Sequence, residues 1–317
     1  MENTLTKSIL QTLSYFDIFD YPLTREELFQ FLWQPPLNLS YSDFILQLEK
    51  VMQTELVRKV ESFGSYYFFA GRSEIIAKRE RKVLYTEEKI AIAKRGTQKL
   101  RYVPFIQALF VCNQLPVGVK KNSDIDVFIV VKRGHMWTTR AIITTLLSFF
   151  LLRRTSGSIA DMMCLSFYVT DDNLDLASIC IPAPDVYQAY WNAQLIPLYD
   201  PDNFFQKIQE KNTWVKHYLP HTFTKFDISN RARVSNTSFT LVIKKFGQWF
   251  LSHSLGSLIE RHFRFLQLQK MKLLTKNPTE ARNKSVVISD TMLKFHENDR
   301  KQYFKDEWEK RWKEKIV

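Results

Sequence analysis

The order of hydrophobic patterns along the chain predicts an α/β protein of the α+β kind, with a mixed sheet in the middle, helices flanking it and a helical C-terminal part. Three observations carry this expectation. Residues 105–112, 124–131 and 162–169 are short apolar runs rich in β-branched and aromatic side chains, bounded by turn residues, as buried strands are. Between the second and third of them lies residues 138–154, an apolar run too long for an ordinary strand. On either side of this block apolar residues recur at spacings of three and four, the period of an amphipathic helix.

From the N-terminus, residues 5–19 place Leu5, Ile9, Leu10, Leu13 and Phe16 on one helical face, and Tyr21-Pro22-Leu23 breaks that helix. Thr24 stands three residues before Glu27, a capping box that opens a second helix through Leu28, Phe31 and Leu32; Gln34-Pro35-Pro36 ends it. Ser40 with Asp43 repeats the signal before Phe44, Ile45, Leu48 and Val51. Residues 56–60 and 66–69 then flank Ser62-Phe63-Gly64-Ser65 and predict a hairpin. Three helices and a hairpin are the element order of a winged helix, expected over residues 1–72. Its third helix carries Ser42, Asp43, Gln47, Glu49 and Lys50, a mixed-sign surface, so an accessory role ranks above DNA reading.

Residues 73–101 read as a connecting basic helix, with Lys78, Arg79, Arg81, Lys82, Lys89, Lys94, Arg95 and Lys99 among apolar residues. A solvated face is the default for such a helix, and a phosphate-lined track the sharper alternative. Residues 102–198 hold the strand, strand, helix, strand series. Residues 199–317 read as helical: Asp200-Pro201 is a helix opening, with one helix expected through Phe204, Ile208 and Val215 to Pro220. Residues 238–270 form a second amphipathic stretch whose Leu241, Phe246, Trp249, Phe250, Leu255, Leu258 and Ile259 are expected in the core. Residues 277–289 are polar and read as a mobile connection. His296, beside apolar residues, reads as a packed side chain outside any catalytic set.

The chemistry is concentrated in residues 121–131, a polar turn that runs into a strand. Asp124 and Asp126 are two apart, so on a strand both carboxylates project from one face. Two like charges side by side are costly unless a cation neutralises them, and paired carboxylates are how proteins hold Mg²⁺. The bland reading is a solvated Asn-Ser-Asp turn. Asp126 argues against it, because it lies inside the apolar run.

Ser123-Asp124-Ile125-Asp126-Val127, following the apolar run 108–112 by a polar loop, resembles the signature of the DNA polymerase beta-like nucleotidyltransferase superfamily. The resemblance covers residues 105–169. It implies that Asp124 and Asp126 bind one or two Mg²⁺ ions, that a pair of residues after the first strand contacts nucleotide phosphates, and that a third acid on the third strand completes the site. The phosphate-contact pair, Gly-Ser in the superfamily, reads Asn113-Gln114 here. Ser123, Lys120 and Lys121 would help position phosphates. The third strand holds no carboxylate, and Asp161 at its entrance is the candidate, as general base or second metal ligand. Asp171 and Asp172 beyond its far end read as turn residues.

The activity implied is Mg²⁺-dependent transfer of a nucleotidyl group from a nucleoside triphosphate to a hydroxyl acceptor on a nucleic acid, protein or small molecule. The alternative is a non-catalytic nucleotide- or nucleic-acid-binding protein in which the altered positions mark a degenerate site. A formal net charge of +12 favours polyanionic partners without naming one. The start lacks a signal-peptide pattern, and residues 141–152 are too short to span a bilayer, so a cytoplasmic protein with no membrane partner is expected. Cys112, Cys164 and Cys180 have no metal-ligand spacing and are expected to be reduced.

Overall fold

The computed structural model describes residues 4–113, 115–223, 232–274, 286–295 and 300–316. Among these the chain builds a six-stranded mixed sheet, a small three-stranded antiparallel sheet and the helices that cover them. α1 (Thr4–Asp17) buries its apolar stripe, and β1 (Leu23–Thr24) follows the break at Pro22. α2 (Arg25–Gln30) opens on the expected capping box: Thr24 Oγ1 accepts from the Glu27 amide at 3.3 Å, and the Glu27 carboxylate accepts from the Thr24 amide at 2.9 Å. α3 (Tyr41–Gln53) is capped by Ser40, whose Oγ accepts from the Asp43 amide at 3.1 Å. The hairpin starts later than its sequence suggests. Leu56 is buried in the turns after α3, so β2 (Val60–Phe63) begins only at Val60 and pairs with β3 (Tyr66–Phe69) around Gly64. β1 pairs with the other edge of β3, giving the order β1-β3-β2.

α4 (Ile75–Leu100) is the long basic helix, and several of its cations face the protein. Arg79 is buried on Glu27, with Nη2 2.9 Å from the carboxylate. Lys78 reaches Asp20 at 2.8 Å. Lys82 donates to the carbonyls of Phe19 and Val117, the latter at 2.7 Å, and burial pulls its ammonium down to about 8.

The central sheet begins with β4 (Ile106–Val111). A loop holding the single turn α5 (Leu115–Gly118) leads to β5 (Ile125–Val131), antiparallel to β4. Every residue of β5 is fully buried except Asp126, which is half-buried with its carboxylate largely withdrawn from water, as a strand covered on both faces requires. α6 (Met136–Phe149) crosses over to β6 (Met163–Thr170), parallel to β5. α6 ends at Phe149, short of Arg154. Leu151 turns the chain with φ 54°, Arg153 bridges to Met163, and the Arg154 amide donates to the Met163 carbonyl at 3.0 Å.

α7 (Val186–Ala193) and β7 (Ile196–Tyr199) follow, β7 pairing with β4. Asp200 caps the next helix, accepting from the Phe204 amide at 2.6 Å, but that helix, α8 (Phe204–Lys211), starts beyond Pro201. It is also not continuous to Pro220. Buried Asn212 interrupts it by accepting from the Leu176 amide and donating to the Leu174 carbonyl, and α9 (Trp214–Tyr218) is separate.

α10 (Ser238–Leu251) and α11 (Ser254–Leu274) form a hairpin whose turn brings Gly256 so close to Leu251 that a Cβ there would lie 1.8 Å from the Leu251 carbonyl oxygen. Placing this apolar stretch in the core is corrected: Leu241, Phe246, Trp249, Phe250, Leu255 and Leu258 are exposed. The reason is that α10 docks through its polar side. Thr240 is buried, and Lys244 Nζ donates to the Ile106 carbonyl and, at 2.8 Å, to the Tyr199 hydroxyl. β8 (Val286–Ile288) and β9 (Met292–Phe295) add to the β6 side, completing the order β7-β4-β5-β6-β9-β8. Part of the connection expected at 277–289 is therefore strand; its residues 277–285, and His296, lie outside the described residues. α12 (Lys301–Ile316) closes the chain.

One apolar core unites the N-terminal elements with the last helix. Leu5, Phe16 and Trp33 pack with Tyr190 of α7, Val215 of α9 and Trp308 of α12, whose Nε1 donates to the Gln11 carbonyl at 2.8 Å. The cores on the two faces of the central sheet are built around Ile129 and Leu147 on one side and Phe128 and Trp191 on the other. Cys112, Cys164 and Cys180 form no disulfide. Among the described residues no helix is long and apolar enough to cross a membrane.

Candidate metal and nucleotide site

The entrance of β5 lies between the end of β4 and the entrance of β6, because β4 runs against β5 and β6 runs with it. Asp124 stands just before β5 and Asp126 is its second residue, and their carboxylates share one face as the spacing predicts. In the β5–β6 register Asp126 pairs with Cys164. One oxygen from each acid and the Cys164 sulfur lie within 4.8 Å of one another, the one such group among the described residues with metal-ligand chemistry.

Asn113, two residues after β4, has φ 57°, the left-handed conformation that glycine adopts freely and asparagine tolerates. Its side chain is turned to the acids. Nδ2 donates to Asp126 Oδ2 at 2.7 Å, while Oδ1 accepts from Trp191 Nε1 at 2.7 Å. Trp191 is itself packed edge-on against Phe128, 5.4 Å away. Asn113 thus holds Asp126 in place. Gln114 lies outside the described residues.

Burial, reinforced by the Asp124 charge, raises the Asp126 carboxyl above the usual carboxylate range against the opposing Asn113 hydrogen bond. Burial likewise pushes the Cys164 thiol up to about 12, with Asp126 adding to it, so Cys164 is a neutral thiol at pH 7. Arg154 reaches in from the segment after α6: its Nη1 is 2.9 Å from Asp124 Oδ2 and 3.3 Å from Cys164 Sγ. The contact with Asp124 is Coulombic rather than directed, because buried Oδ2 accepts no hydrogen bond among the described residues.

The remaining expected residues fall into two groups. Ser123 stays beside the acids but closes its own turn, its Oγ donating to the Lys120 carbonyl at 3.0 Å, and Lys120 and Lys121 are exposed on the loop leading into the site. Asp161 is not brought to the acid pair. Its carboxylate is bound by Lys89 Nζ at 2.8 Å, and the residue that stands with the two acids is Cys164. Lys89, which is 1% exposed, also donates to the Ser123 carbonyl at 2.7 Å and the Lys121 carbonyl at 3.3 Å, pinning the loop to α4. At the far end of β6, Asp171 and Asp172 bind Arg133, as turn residues would.

A hard divalent cation fits the two carboxylates, which offer oxygen ligands, one of them a buried Oδ2 with no directed partner. The neutral thiol does not fit Mg²⁺ as a ligand. Cys164, Arg154 and Trp191 escaped sequence reasoning. Only the strand register could have revealed Cys164, as the residue beside Asp126 on the third strand.

Comparison with known protein families, with curated proteins and with solved structures finds no match to this chain.

Proposed function

We propose that the chain is a nucleotidyltransferase-like protein that holds Mg²⁺ and a nucleoside triphosphate at Asp124 and Asp126 and transfers a nucleotidyl group to a hydroxyl acceptor. The observation that carries this reading is the placement of the acid pair at the entrance of β5, between the end of antiparallel β4 and the entrance of parallel β6. This is the arrangement the resemblance implies for residues 105–169. On the same reading residues 1–72 are a winged-helix-like unit, and the exposed Ser42, Asp43, Gln47, Glu49 and Lys50 of α3 give it a mixed-sign face that favours an accessory over a DNA-reading role.

Asp124 and Asp126 would hold the ion by one oxygen each. When bound, Mg²⁺ would supply charge neutralisation at the α-phosphate and the pyrophosphate leaving group. Asn113, held by Trp191, keeps Asp126 Oδ2 oriented, and Lys89 fixes the loop that carries Asp124. Lys120 and Lys121 would meet the phosphates as they enter. The test is Mg²⁺-dependent consumption of each nucleoside triphosphate with pyrophosphate release, against RNA and protein acceptors. Turnover in the wild type and none in Asp124→Asn/Asp126→Asn is the expected result.

A second reading, binding without turnover, is favoured by two particular contacts. Cys164 stands where a third carboxylate is implied, and the Arg154 guanidinium lies beside Asp124. Triphosphate binding without pyrophosphate release would select it. Arg154→Ala is expected to tighten Mn²⁺ binding in the absence of nucleotide by up to about fivefold, the ~1 kcal/mol upper end for a partly exposed pair. Titration followed by electron paramagnetic resonance measures this. Unchanged affinity would mean that Arg154 does not compete for the ion's place.

A further inference from the structure

α10 is packed with its apolar face outward. Phe239, Val242, Ile243, Phe246, Trp249 and Phe250 recur at helical spacing, and four of them, Phe239, Val242, Phe246 and Trp249, are 67, 65, 66 and 63% exposed. The opposite side meets the protein: Thr240 and Lys244 are buried, and a Cβ on Gly247 would sit 3.3 Å from Pro104. The Lys244 hydrogen bonds to the Ile106 carbonyl and the Tyr199 hydroxyl fix this orientation. Rotating α10 to bury its aromatics would leave those groups without their donor. Leu255 and Leu258 of α11 extend the patch, at 50 and 55% exposed.

A patch of this kind is rare on a surface facing water and marks an interaction site. Among the described residues no segment covers these side chains. With side-chain areas of about 150–250 Å² for the aromatics, the exposed fractions amount to roughly 800 Å². A standard interface buries about that much per partner. The composition also fits, since aromatic residues are enriched and charged residues depleted at interface centres. None of the six α10 residues is charged, and Lys245 lies at the flank.

We propose that a second copy of this chain covers the α10–α11 hairpin, the two hairpins packing face to face about a two-fold axis. A two-fold interface uses the same patch on both subunits, so an apolar helix pair is complementary to itself. On α10 the exposed cation, Lys245, stands beside the apolar stripe and not within it, where salt screens repulsion from its counterpart.

The test is the mass in solution, by light scattering and sedimentation, of the full chain and of Phe246→Glu and Trp249→Glu. Both positions are exposed in the single chain, so the variants should keep its circular dichroism spectrum and lose only the partner. The wild type is expected at twice the chain mass, with a dimer dissociation constant raised at least about tenfold in each variant. A monomeric wild type would overturn the proposal, as would a dimer that survives both substitutions. A monomer that floats with vesicles containing anionic lipid, and stops doing so in the variants, would overturn it in favour of a membrane surface.

Discussion

Asp126→Asn protein should lose Mg²⁺-dependent turnover by at least about 100-fold, beyond the 10- to 100-fold typical of losing a residue that merely supports a metal ligand. The same substitution should change how stability depends on pH. Burial and the Asp124 charge raise the folded-state value of the Asp126 carboxyl above that of the unfolded chain. The folded chain therefore holds this proton more tightly than the unfolded one. The resulting stabilisation is fully present below about pH 3.9, the unfolded value, and is lost as pH rises through the folded value. Asparagine keeps an oxygen for the Asn113 amide and removes the buried charge, so the ligand-free variant should be at least as stable as the wild type near neutrality. Mg²⁺ should offset the decline in the wild type and do nothing for the variant. Thermal melts from pH 4 to 8, with and without Mg²⁺, measure both effects. A variant that melts earlier than the wild type at pH 7 would remove the buried-charge account.

Lys89→Met is expected to carry the largest cost in stability. The substitution preserves the side chain's length but removes the Lys89 donor from the Lys121 carbonyl and the Asp161 carboxylate, and leaves the Ser123 carbonyl with the Asp161 amide alone. Breaking a fully buried pair costs about 3–5 kcal/mol. Asp161 is half exposed and can turn to water, so about 2–3 kcal/mol is expected here, a fall in melting temperature of roughly 4–10 °C. Because Lys89 pins the loop carrying Asp124, Mn²⁺ affinity should also fall about tenfold. Asp161→Asn is the informative contrast. It keeps an acceptor oxygen for Lys89 but removes the charge that pairs the buried ammonium, so it should cost about 1–2 kcal/mol while sparing turnover. A loss of turnover comparable to that of Asp126→Asn would return Asp161 to the catalytic set.

The local features were legible in the sequence because their causes are local. Thr24 with Glu27 and Ser40 with Asp43 cap their helices as read, since a cap needs only residues three apart. Asp124 and Asp126 share a face because the strand repeats every two residues. Asn113 was expected near the acids only through the resemblance, as a phosphate contact, and its left-handed backbone and its bond to Asp126 are tertiary facts.

The neighbours of the acids were decided by the tertiary structure. α6 ends at Phe149, and the five residues that follow lead Arg154 to Asp124 and set the parallel register that puts Cys164, and not Asp161, beside Asp126. Parallel strands are joined only through their crossover, so no short-range pattern states their register. The same limit applies to α10. Its sequence by itself determined that one face is apolar, but not whether that face turns inward. The orientation was decided by where Lys244 finds its acceptors, the Ile106 carbonyl and the Tyr199 hydroxyl, because a buried ammonium must be hydrogen-bonded whereas an apolar face can be covered by any surface that excludes water.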